Sequence, residues 1–154
     1  NLTEVWHMIS LDTNILVYSI DELSPFHNQA KLFLNKLVND SKRFALTWQV
    51  LMEFYVVVTS AGKRMKISSE NAWKFVQSLL ASGKVELIYP NNSTYKILNQ
   101  ILTKKKCVGS KVFDLFLAAT LLSNDINILV TENTKDFFGI SNFKAKSMNE
   151  FGMI

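Results

Sequence analysis

Two spacings of apolar residues trade places along this chain. Short unbroken apolar runs bounded by polar residues predict strands, and stripes at i, i+3 and i+4 predict amphipathic helices. Strand patterns cover 7–11, 43–46, 85–89 and 127–131, with 143–146 as a candidate fifth. Helical stripes fill the intervals. Ser24-Pro25 predicts a helix start, with Ser as cap and Pro in the first turn, and Ala30, Leu32, Phe33, Leu34, Leu37 and Val38 carry it to about Asn39. Thr47 is the predicted cap of a helix to about Ala61, with Gly62 as its stop. Ser68 or Ser69 opens a helix through Ala72, Trp73, Val76, Leu79 and Leu80, ended by Gly83. Ser93 is read as the cap of the next, which runs through Ile97, Leu98, Ile101 and Leu102. A buried-looking helix spans 112–122, a helical turn 134–138, and 151–154 is expected to dock back. Strand and helix patterns alternating from end to end predict a three-layer α/β/α fold around a mainly parallel sheet of four to five strands. Residues 8–154 are expected to form a single domain. Residues 1–7, ahead of the first strand pattern, are set aside as an extension of native or recombinant origin.

Composition narrows the class. A 154-residue chain that is 48% hydrophobic and 19% charged packs a core and is not disordered. Its single cysteine, Cys107, excludes an internal disulfide, which fits a cytoplasmic setting. No apolar stretch reaches transmembrane length, so no membrane partner is expected. The net charge of +4 suits an anionic partner without requiring one.

Three carboxylates then stand out because they interrupt or close apolar runs. Asp12 closes Met8-Ile9-Ser10-Leu11, Glu53 breaks the run from Val50 to Val58, and Asp114 breaks the run from Val112 to Ala119. A buried carboxylate is costly unless a cation or several donors meet it, and no Lys or Arg lies in these runs. In an open parallel sheet, ligands bind beyond the carboxyl ends of the strands. Asp12 follows the first strand there, and Thr131, Glu132, Asn133 and Asp136 follow the fourth. Asp12, Glu53, Asp114 and Asp136 are therefore expected to converge and hold a hard divalent cation, Mg²⁺ or Mn²⁺. A zinc site is disfavoured, because there is one Cys and His7 and His27 have no ligand spacing. Such a cluster suits phosphodiester hydrolysis by metal-activated water. Each acid also has a structural role open to it: Asp12 as a helix cap, Glu53 and Asp114 as helix residues favoured by the dipole, Asp136 on a solvated turn.

The run Ile9-Ser10-Leu11-Asp12-Thr13-Asn14 resembles the opening of PIN-domain nucleases, especially the VapC-like toxins. Val50-Leu51-Met52-Glu53-Phe54-Tyr55, Gly109 with the segment from Val112 to Thr120, and the segment from Leu129 to Phe137 resemble that family's later motifs, in the same order. The resemblance implies a metal-dependent endoribonuclease acting in a toxin–antitoxin pair. RNA would be its substrate, an antitoxin protein its partner, and a homodimer its assembly. It implies Asp12, Glu53 and Asp114 as metal ligands, with Thr13 or Asn14, and Thr131, orienting ligands or water. Where many relatives place a fourth acid this chain has Asn133, and Asp136 is the candidate for that role, directly or through water. One or two ions are both open. Lys63, Arg64 and Lys66, and Lys104, Lys105, Lys106 and Lys111, are candidate RNA-backbone contacts. An RNA-processing PIN domain and a catalytically weak binding domain are the rivals.

Overall fold

The computed structural model describes residues 7–62 and 66–152. At its centre lies β1, Ile9–Leu11, buried at every residue. On one side of it stand β2 (Phe44–Thr47) and then β3 (Val85–Ile88); on the other stand β4 (Ile128–Val130) and then β5 (Lys144–Lys146). The order is β3-β2-β1-β4-β5, and all four pairings are parallel. Parallel neighbours need crossover connections, and helices supply them.

From β1 the chain steps outward through α1 (Thr13–Ile20) and α2 (His27–Asn39) to β2, then through α3 (Trp48–Thr59) and α4 (Ser69–Ala81) to β3. It returns through α5 (Asn92–Lys104) and α6 (Val112–Leu122) to β4, and ends on β5 and α7 (Met148–Phe151). Short 3₁₀ turns at Gly109–Lys111 and Thr134–Phe137 precede α6 and follow β4. Right-handed crossovers put helices made on outward steps and on the return step on opposite faces of the sheet. Accordingly α1 packs on α2 and α3, α3 packs on α4, and α5 pairs with α6. The order reverses between β1 and β4, and a crevice opens at such a reversal, beyond the strand ends. The register Leu11↔Val130 sets the next residues, Asp12 and Thr131, side by side at its mouth.

Thr47 caps α3 and Ser68 caps α4, each accepting a hydrogen bond from a first-turn N–H. Two predicted starts move. The Ser24 hydroxyl accepts from the Phe26 N–H at 3.1 Å, which makes a turn of 24–26 and delays the helix to His27. The cap of α5 is Asn91, not Ser93: its side chain accepts from the Ser93 N–H while the Thr94 hydroxyl accepts from the Asn91 N–H. Asn and Ser cap about equally well, but only Asn91 has Thr94 three residues on to complete a capping box, and this leaves Ser93 inside the first turn. Leu32 and Trp73, counted in the core stripes, are 67% and 42% exposed. Phe151 meets Phe33 edge-on at 6.0 Å, so the tail docks on α2 as far as it is described, with 153–154 outside that range. No helix among the described residues is long and apolar enough to cross a membrane.

Candidate active site

Asp12 is fixed from three directions. Its backbone N–H extends the sheet by donating to the Val130 carbonyl at 2.9 Å. As N-cap of α1, its Oδ1 accepts the Thr13 N–H at 2.8 Å, and its Oδ2 accepts the Thr131 hydroxyl at 2.7 Å. That hydroxyl is itself held, accepting from the Asn14 side-chain amide and the Asn133 backbone N–H, both at 3.0 Å. Burial pushes the Asp12 carboxyl above its ordinary range; the bonds from Thr131 and Thr13 pull the other way, and the charges of Glu53 and Asp136 push it further up. The capping role open to Asp12 is thus real, and it leaves the carboxylate at the crevice.

Glu53 projects from α3 towards the same corner. The Thr13 hydroxyl donates to its Oε2 at 2.9 Å, and the Gln49 amide donates to its Oε1 at 3.1 Å. The same Gln49 nitrogen reaches the Phe113 carbonyl at 2.9 Å, so one side chain ties α3 to the first turn of α6. Gln49 Oε1 is buried without a hydrogen-bond partner among the described residues.

Asp114 stands in the first turn of α6, and its carboxyl is pushed up to about 6. Burial is the largest cause, followed by the charges of Asp12, Asp136 and Glu53, while Lys105 opposes them. Asp136 lies on the exposed 3₁₀ turn after β4. Four carboxylates from four elements therefore act on one another across the crevice. Among the described residues, no three carboxylate, imidazole or thiolate groups gather tightly enough to form a metal cage by themselves.

The remaining sequence candidates divide. Asn14 spans the corner, its Oδ1 accepting the Glu132 N–H at 3.3 Å. Asn133 is exposed, with its backbone N–H on Thr131. Glu132 is used elsewhere, capping α7 by accepting the Met148 N–H at 2.9 Å. Lys105 donates to the backbone carbonyls of Asp136 at 3.1 Å and Phe138 at 3.0 Å. Lys66, Lys104, Lys106 and Lys111 are exposed, and Lys63 and Arg64 lie outside the described residues. Sequence reasoning passed over Gln49. Its signal was the i, i+4 spacing to Glu53, which puts both on one helical face.

With this geometry in view, comparison with known proteins assigns the family. The chain belongs to the PIN domain family, whose profile matches residues 9–140. It is similar to ribonuclease VapC43 of Mycobacterium tuberculosis and to VapC ribonuclease Mb2897 of Mycobacterium bovis. Each is 29% identical over 119 residues, which is 77% of this chain and 81% of the relative. Among solved structures it resembles VapBC2 from Rickettsia felis, bound to a DNA fragment from its promoter, with a TM-score of 0.66 at 22% identity over 91% of this chain and 98% of that one. It also resembles VapC20 of Mycobacterium tuberculosis, a toxin that cleaves the sarcin–ricin loop, with a TM-score of 0.61 at 12% identity over 88% of this chain and 98% of that one. These two likenesses establish the shared fold.

Proposed function

We propose that this PIN domain, spanning 8–154, is a divalent-metal-dependent endoribonuclease and the toxin of a toxin–antitoxin pair. The observation that carries the proposal is the convergence of acids on Asp114: Asp12, Asp136 and Glu53 lie near enough for their charges to add to burial in pushing its carboxyl up to about 6. Half-buried acids that repel one another favour a proton or a cation, and a hard divalent ion is the natural counter-charge for oxygen ligands. The relatives named ribonucleases supply the substrate class, and the VapBC neighbours supply the kind of partner. A cytoplasmic homodimer accords with such a role.

In this proposal Asp12, Glu53 and Asp114 hold Mg²⁺ or Mn²⁺, and Asp136 contributes directly or through water. A cation bound there would activate water and offset charge on the attacked phosphate. Thr131 and the Thr13 N–H aim the Asp12 carboxylate, while the Thr13 hydroxyl and Gln49 aim Glu53. A rival reading, a domain that holds RNA without cutting it, draws on Asn133 and on the open spacing of the acids.

Purified protein with Mn²⁺ and RNA decides between them. The intact chain should cut RNA, EDTA should stop it, and Asp12→Asn or Asp114→Asn should abolish cleavage with the circular dichroism spectrum unchanged. Unaltered cleavage by both variants would refute the assignment, and calorimetry showing no binding at millimolar Mn²⁺ or Mg²⁺ would favour the rival. Growth arrest on expression, relieved by a co-expressed neighbouring gene, separates a toxin from an RNA-processing enzyme.

A further inference from the structure

We propose that the groove between α5 and the segment joining β4 to β5 is an RNA subsite, which seats one nucleotide of the bound strand. The proposal rests on the ribonuclease reading and adds a binding site outside the acid cluster. The groove has a volume of about 500 Å³. Pockets that take nucleotide-sized ligands run from roughly 300 to 1,000 Å³. Its floor is apolar, formed by Ile97, Ile101, Leu122 and Ile140.

The mouth is built by the chain itself. Phe137 is 3% exposed and packs against Phe143 at 5.9 Å between ring centroids. With Phe137 turned into the core, the next residue is turned out, and Phe138 is 83% exposed. A phenyl ring left in water is an unspent stacking surface, since every base has a face to lay on it. The ring stands on a fixed base: the Lys105 ammonium donates to the Phe138 carbonyl at 3.0 Å and to the Asp136 carbonyl at 3.1 Å. One side chain thus joins the groove to the turn that carries Asp136. Two residues of chain span at most about 7 Å, so the backbone that carries Phe138 starts close to that of Asp136.

Charge selects the occupant. The charged residues lining the groove are Lys104 and Lys105, with no acid among them. Lys105 is engaged by the two carbonyls, while Lys104 is exposed and lines the groove with its charge. The side-chain amides of Gln100 and Asn142 also line the groove and offer donors and acceptors for a base edge. An aromatic face, a lysine and two amides together match the way single-stranded RNA is held.

Binding is measured by fluorescence anisotropy with a short labelled single-stranded RNA, in EDTA and in an Asp114→Asn background, where the strand stays uncut. Phe138→Ala should weaken binding by roughly five- to a hundredfold, as expected for one lost stack, and Phe138→Trp should restore it. On the same strand made without bases, Phe138→Ala should have no effect. Lys104→Gln should lower the slope of log affinity against log salt by about 0.7. Both side chains are exposed, so the thermal midpoints should match the background. Equal affinity for Phe138→Ala, or an equal loss on the base-free strand, overturns the subsite, as does binding of an acidic peptide but not RNA. The ribonuclease reading is judged separately, by Mn²⁺-dependent cleavage with the unsubstituted chain.

Discussion

Asp12 and Asp114 are both aspartates at the start of a helix, and both carboxyls are pushed towards the protonated form. They are held in different ways. Asp12 is gripped by Thr131 and the Thr13 N–H at a corner where two adjacent strands end. Asp114 is acted on by burial and three like charges, with Lys105 in partial opposition. One wall of the crevice is therefore set by hydrogen bonds, and the other by burial and a balance of charges that a cation would shift. In the proposed metal site Asp12 would be the fixed ligand and Asp114 the adjustable one. The fixed wall would contribute position, and the adjustable wall would make the site sensitive to metal and to protons.

The largest effects should come from neutralising either wall. Asp12→Asn and Asp114→Asn should each reduce Mn²⁺-dependent cleavage at least a hundredfold, roughly the loss seen when one charged group is removed from a preorganised site. If only the Asp12 variant fails, the adjustable wall is dispensable and the comparison breaks. Next comes Thr131→Val, which keeps the shape and removes the hydroxyl. It should cost roughly 10- to 100-fold in activity and about 1–3 kcal/mol in urea denaturation, because a buried acceptor loses its donor.

The third test uses pH. Below about 6 the Asp114 carboxyl carries a proton that a metal must displace. Mn²⁺ affinity by calorimetry should then fall about tenfold for each unit below 6 and level off above it. A smaller effect is expected for Gln49→Ala, about tenfold in turnover, the low end for one lost hydrogen bond to a charged group. The smallest concerns stability without metal. The native carboxyl of Asp114 binds its proton more tightly than the ordinary value of 3.8, so ionisation destabilises the fold progressively from about pH 4 to 6. Asp114→Asn should therefore raise the urea midpoint at pH 7 in EDTA, and the gain should vanish below pH 4. A lower midpoint at pH 7 would mean that the charge is not under strain.

Much of this architecture was legible in the apolar pattern, because burial on both faces of a parallel sheet leaves unbroken runs such as Phe44-Ala45-Leu46 and Ile128-Leu129-Val130. The starts of α2 and α5 were misplaced, since Ser24 can serve a turn as well as a cap and Ser93 stands two residues past Asn91, which completes a capping box with Thr94. The acids stood out because carboxylates are expensive inside apolar runs. Gln49 did not, and Lys105 is legible in the sequence only as a candidate phosphate contact. An uncharged amide on a helix breaks no pattern, and the carbonyls that Lys105 meets come together only once the turn after β4 has formed.

The hydrogen bond from Thr131 to Asp12 joins residues 119 apart in sequence. Closing so large a loop costs more chain entropy than closing a short one. During synthesis, a chain halted before β4 emerges from the ribosome lacks the partner that aims its first acid. An enzyme that cuts RNA would thus lack a working blade until β4 has emerged beside its first acid.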